Sequence, residues 1–164
     1  MAASDDRSKF AARQKELCLS LGQCEDIHEK SNELFHYLNE LDYSYLWNWM
    51  GAPIIQTPAD IMATQEVIWQ TRPDVVIETG VARGGSVLFL ASILELIGNG
   101  TVIGVDIDIR SHNRATIEDH PMSKRVKLIE GGSVDEVTLA AVRTEIPERS
   151  RVMVILDSDH SKDH

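Results

Sequence analysis

The sequence predicts an α/β fold in which a parallel β-sheet is flanked by helices, with more helices ahead of it. Three observations carry this. Four apolar runs of strand length occur from residue 74 onward: "DVVIETG", "TVIGVDID", "RVKLIEGG" and "RVMVILDSD". Helical stretches alternate with them, chiefly "SVLFLASILELI" and "SVDEVTLAAVRTEI". A glycine-rich turn, "ETGVARGGS" (78–86), closes the first strand where the next helix begins. Parallel strands require right-handed crossovers, with helices on both faces of the sheet. Functional groups then gather at the carboxyl ends of the strands.

Taken in order, Ser4, Asp5 and Asp6 start a first helix that stops near Gly22, with acids at its positive end. A second helix carries Ile27, Leu34, Phe35, Leu38 and Leu41, spaced as one apolar face that a core should cover. "LWNWMGAPIIQTPAD" (46–60) reads as irregular, with Trp47 and Trp49 packing rather than binding. Thr57 opens a third helix, with Pro58 at its first position and Asp60 completing the cap. That helix ends at Arg72, ahead of Pro73. Residues 1–56 thus form an N-terminal helical segment and cap, and 57–164 form the sheet domain.

With 164 residues and 43% hydrophobic content the chain suits a globular protein with a real core. The net charge of −10 disfavours nucleic acid and anionic membrane as partners. No apolar run reaches the ~20 residues of a membrane span, and "MAASDDRSK" is not a secretory signal. Cys18 and Cys24 match no zinc or redox spacing and read as free thiols of a cytoplasmic protein.

Three chemistries compete for "ETGVARGGS". A phosphate-binding Walker loop needs a lysine where Ser86 stands. A dinucleotide fingerprint needs a glycine where Ala82 stands. Glu78, two residues before Gly80, opposes a phosphate but suits an ammonium. S-adenosylmethionine (SAM) carries an ammonium, a carboxylate and a sulfonium, and no phosphate. Gly80, Gly84 and Gly85 would let the backbone approach it, and the helix start would receive its carboxylate. Asp106, at the end of the second strand, stands where an acid accepts bonds from a ribose diol, whether of SAM or of NAD. An NAD-dependent oxidoreductase and a non-catalytic binding module are the rival readings.

"VMVILDSDHSKDH" (152–164) places Asp157, Asp159 and His160 where the fourth strand ends, beside the first. Carboxylates there suit Mg²⁺, which lowers the pKa of a bound hydroxyl. His160 or Lys162 would then take the proton. The plainer alternative is a charged helix start with Ser158 or Asp159 as its cap.

The segments "IIQTPADIMATQEVIWQTRPDVVIETGVARGGSVLFLASIL" and "VMVILDSDHSKDH" together resemble the cephalosporin hydroxylase / rhamnosyl O-methyltransferase family, over about Trp47 to His164. The resemblance implies a Rossmann-like class I methyltransferase fold and SAM-dependent transfer of a methyl group to a hydroxyl of a small molecule such as a sugar or secondary metabolite. It implies that Glu78, Gly80, Ala82, Gly84, Gly85 and Ser86 frame the methionine part of SAM, and that Asp106 holds the ribose. It implies Asp157 or Asp159 as ligand to Mg²⁺ or another divalent cation, with Lys162 as a base by looser analogy. Family members continue through a further helix and a strand ending in an acidic pair. Only the first four strands are legible here, so the fourth is expected as an exposed apolar edge. That edge implies a longer protein or a second chain, as in a homo-oligomer.

Overall fold

The computed structural model describes residues 6–158. The chain divides into two compact units between Tyr43 and Ser44. The first holds helices α1 (Arg7–Gly22) and α2 (Glu25–Asn39). Ser4 and Asp5 of the anticipated helix start lie outside the described residues. Cys18 and Cys24 are free thiols.

No residue of either helix is buried. Within this unit the expected apolar face has no core to cover it: Ile27, Leu34, Phe35 and Leu41 are exposed and Leu38 is half-buried. Periodicity reports that a helix has an apolar side, and says nothing of what covers it.

The second unit begins with a hairpin, not the irregular stretch expected. Strand β1 (Trp47–Trp49) pairs antiparallel with β2 (Ala52–Ile54), Trp47 opposite Ile54 and Trp49 opposite Ala52. Met50 and Gly51, at φ +46° and +93°, make the turn between them. Two successive positive φ values define the tight hairpin turn that Asn-Gly usually announces. Met in the first position hides that signal. The hairpin ties itself to the sheet domain: Trp49 meets Phe89 edge-on at 4.9 Å and donates its indole N–H to Ser92 Oγ at 3.0 Å. The hairpin thus lies in the same compact unit as the sheet.

Helix α3 (Pro58–Thr71) starts as read, with Asp60 N donating to Thr57 Oγ1 at 3.4 Å and Pro58 in the first turn. It ends on Arg72 in the left-handed conformation, whose guanidinium lies 3.4 Å over the Trp69 ring. The sheet consists of β3 (Val75–Thr79), β4 (Thr101–Asp106), β5 (Val126–Glu130) and β6 (Val152–Leu156). All are parallel, in the order β5-β4-β3-β6. Helices α4 (Gly85–Ile97), α5 (Ser111–Glu118) and α6 (Glu136–Thr144) lie in the connections. The eight-residue α5 went unread, because Ile117 is its one buried side chain and no apolar stripe marks it.

Strand β3 is buried along its whole length. Its side chains alternate between two cores. Val76 joins α4 and the hairpin, while Val75 and Ile77 join Val105 and Val142 of α6. Helix α4 is apolar nearly all round, as a helix walled in by sheet and hairpin must be. Strand β6 has one strand neighbour among the described residues, and Val152, Val154 and Leu156 on its open face are exposed. The edge expected from the sequence is present.

Candidate functional site

From β3 the chain passes to β4 and then β5 on one side, and returns to β6 on the other. The strand order reverses at β3, so a crevice opens at its carboxyl end, where ligands bind in sheets of this kind. Three backbone bonds carry the ladder one residue past the strands. Gly80 N donates to Val105 O (2.8 Å), Gly131 N to Asp106 O (2.8 Å) and Asp157 N to Thr79 O (2.9 Å). They bring Gly80, Asp106, Gly131 and Asp157 to one end of the sheet.

Glu78 shares the α4 face of β3 with Val76, two residues before it. It is 1% exposed and accepts a hydrogen bond on Oε2 from Ser86 Oγ at 2.9 Å. Its Oε1 is buried without a hydrogen-bond partner among the described residues. A buried polar atom left unpaired in a native fold calls for a reason. Burial, opposed by the Ser86 hydroxyl and reinforced by the negative charge of Asp157, pushes the Glu78 carboxyl up to about 8. Such a carboxyl is poised to ionise when a cation comes near.

The glycines have a duty the sequence did not reveal. A Cβ on Gly80, at φ +96°, would lie 2.0 Å from the Asp157 carbonyl oxygen. One on Gly84, at φ +87°, would strike the Ile117 side chain at 2.5 Å, and one on Gly85 would strike Pro53 O at 2.2 Å. Each missing side chain lets another element close on the loop. Ala82 itself sits at φ +44°. Its amide and that of Val81 both donate to Asp106 Oδ2, at 3.1 and 2.8 Å. Its carbonyl accepts from Asn113 Nδ2 at 2.7 Å. Asp106 Oδ1 accepts from Asp108 N at 3.2 Å. Asp106 is thus built into the loop, whatever else it holds.

Two cavities flank this loop and share Gly80, Ala82 and Asp157. The smaller, about 220 Å³, lies over the start of α4 and is lined by Tyr45, Ile55, Arg83 and Ser86 among others. Among the described residues Arg83 is its single cationic lining residue. The larger, about 510 Å³, extends past Asp106 and Ile107 to Gly131, Gly132 and Ser133. One end therefore offers a cation, a hydroxyl and a helix start. The other offers a carboxylate, an apolar side chain and open backbone.

Gly80, Ala82, Gly84, Gly85, Ser86, Asp106 and Asp157 line one cavity or both, and Glu78 stands behind Ser86. Asp159, His160 and Lys162 lie outside the described residues. Among the described residues no three His, Cys, Asp or Glu side chains gather as a metal site. Sequence reasoning missed Tyr45 and Ile55, which the unread hairpin region supplies, and Asn113 on the unread α5. It also passed over Gly131, Gly132 and Ser133, though "EGGS" at the end of β5 repeats the glycine signal that marked β3.

A family model described as Rhamnosyl O-methyltransferase/CmcI matches residues 41–164. A rhamnosyl O-methyltransferase of Mycobacterium leprae is 31% identical over 125 residues, covering 72% of this chain and 52% of that protein. One from Mycobacterium bovis is 31% identical over 123 residues, covering 71% and 46%. The chain spans about half the length of the curated relatives it matches. Among solved structures, apo CmcI superposes with a TM-score of 0.55 and CmcI with Mg and SAM with 0.52. Both are 21% identical and cover 73% of this chain and 48% of theirs. The structural likeness shows a Rossmann-like parallel sheet, of which the described residues hold four strands.

Proposed function

The chain belongs to the rhamnosyl O-methyltransferase/CmcI family, and on that premise we propose that it binds SAM across the loop 80–86 and methylates a hydroxyl of a small molecule. A sugar hydroxyl is the first acceptor to test, because the curated relatives are named for O-methylation of a rhamnosyl group. One observation carries the reading. A buried carboxyl with an unpaired oxygen stands behind a glycine turn at the strand-order reversal, between a cationic cavity and an open, partly apolar one.

The residues present fit this cofactor. Arg83 and the first amides of α4 suit its carboxylate. Glu78, through its ionisation, suits its ammonium. Asp106 accepts three backbone amides and, with about four acceptor sites on a carboxylate, keeps one on Oδ1 for a ribose hydroxyl. Ile107 and the backbone at Gly131–Ser133 suit the adenine. When bound, SAM supplies a methyl group activated by its sulfonium. The protein's part is to hold the amino-acid and adenosine ends in separate cavities and to fix the acceptor in line.

Asp157 lines both cavities and is the described residue best placed for a divalent cation. One carboxylate is an incomplete donor set, so no step is assigned to a metal. His160 and Lys162 stay candidates for collecting the acceptor's proton.

Calorimetric titration with S-adenosylhomocysteine (SAH), with NAD as the control, tests the cofactor. Micromolar SAH binding without NAD binding is expected. The reverse result establishes an oxidoreductase instead. Transfer from radiolabelled SAM to a simple rhamnoside, with and without Mg²⁺, tests the acceptor and the metal.

A further inference from the structure

Four contacts converge on the loop from outside it. Asp106 Oδ2 takes the amides of Val81 and Ala82. Asn113 gives its amide group to the Ala82 carbonyl at 2.7 Å. Ile117, one helical turn further along α5, fills the space that a Gly84 side chain would need. Asp157 does the same with its backbone at Gly80.

Ala82 is the weak point of this loop. An alanine in the left-handed region is disfavoured by contact between its Cβ and the backbone. It stays there only when its surroundings hold it. Both of its peptide groups are held, the amide by Asp106 and the carbonyl by Asn113. The two bonds approach the residue from different elements, β4 and α5. Together they fix the orientation of the peptides on either side of it. Those peptides form the wall common to the two cavities.

Resting on the SAM reading above, we infer that Asn113 is a positioning residue of the cofactor site, which holds Ala82 in its left-handed conformation before the cofactor arrives. Asn113 lines neither cavity. Its effect is to spare the ligand the ordering of the loop, a cost that otherwise reduces affinity. Asn is the residue type this needs. Its Nδ2 donates to a carbonyl, whereas an Asp in its place would present an acceptor to an acceptor.

The test compares wild type with Asn113→Ala, Asn113→Asp and Asn113→Gln in two measurements. Amide hydrogen exchange of the ligand-free protein reads Val81 and Ala82 directly. Calorimetry with SAH reads the site. In wild type both amides are protected. In Asn113→Ala their protection falls and the SAH Kd rises roughly tenfold, the value of one hydrogen bond. Asn113→Asp is worse than Ala, and Asn113→Gln regains part of the loss. Unchanged thermal unfolding confines the effect to the loop. If Asn113→Ala keeps both the protection of Val81 and Ala82 and the wild-type Kd, Asn113 positions nothing. If wild type itself fails to bind SAH, the cofactor reading falls, and exchange alone still decides whether Asn113 holds the loop.

Discussion

Ser86 donates its hydroxyl to Glu78 Oε2 at 2.9 Å, joining the first turn of α4 to the carboxyl end of β3. The bond is the single counterweight to a burial that keeps Glu78 protonated near neutrality. Oε1 has no partner among the described residues. Stability and pH are therefore linked at one carboxyl group, and on the proposed SAM reading cofactor affinity is linked to both.

The first prediction concerns stability. Burial pushes the Glu78 carboxyl up to about 8, well above its ordinary value of 4.5. Between these limits the native state binds more protons than the unfolded state, so stability falls as pH rises through the window. Glu78→Gln, which cannot ionise, removes this slope. Urea unfolding at about pH 5 and about pH 9 should show wild type losing a few kcal/mol that the variant keeps. Parallel losses in both proteins would assign the slope to other groups.

Ser86→Ala makes the reciprocal case. The hydroxyl lowers the Glu78 pKa, so its removal raises that pKa further and leaves both carboxyl oxygens unpaired. A destabilisation of about 1 kcal/mol is expected. The Glu78 side-chain carboxyl, followed by carbon-detected NMR, should titrate at higher pH than in wild type. A downward move contradicts the assignment of the bond.

Cofactor affinity should depend on pH in a definite sense. An ammonium beside Glu78 favours the ionised carboxylate, so binding expels a proton below about pH 8. SAH should bind more tightly as pH rises from about 6 toward 8, with proton release visible in buffers of different ionisation enthalpy. In Glu78→Gln the pH dependence should flatten and the Kd rise about tenfold or more. Release of no proton by wild type would place the ammonium elsewhere.

Arg83 gives a test that separates the two ends of the ligand. Arg83→Gln removes the cation from the smaller cavity and leaves the larger one intact. SAH should weaken about tenfold. Methylthioadenosine, which lacks the amino-acid end, should bind the variant as it binds wild type. Equal weakening of both ligands would mean that Arg83 shapes the loop rather than holding a carboxylate.

Gly80→Ala attacks the fold and the site together. The new methyl would lie 2.0 Å from the Asp157 carbonyl at a φ of +96°. Relief requires β6 to move from β3. A loss of roughly 3 kcal/mol or more is expected. Exchange should rise first at the Asp157 amide, which bonds Thr79 O in the intact sheet.

The parallel sheet was legible because its strands are runs of apolar, largely β-branched residues fenced by glycines and acids. β3 through β6 each fall inside the segment read for it. Thr57 and Pro58 announced α3 for the reason that caps are chemical, not statistical. The hairpin was hidden because Met50 occupies a positive-φ position normally left to Asn or Gly. Helix α5 was hidden because one buried side chain makes no period. The same two omissions removed Tyr45, Ile55 and Asn113 from the expected site. The glycines were legible as a turn but not as a packing seam. Steric vacancy at Gly80, Gly84 and Gly85 is defined by Asp157, Ile117 and Pro53, and Ile117 and Asp157 lie more than 30 residues away in sequence.

Asp157 directly follows a strand that, among the described residues, is gripped from one flank only, yet it forms part of both chambers. Fraying that begins at Val152, Val154 and Leu156 will therefore reach the floor of the crevice within a few residues. A second segment laid along that flank would do more than hide grease. It would set how long the crevice keeps its shape, tying the site's readiness for a ligand to whatever β6 leans on.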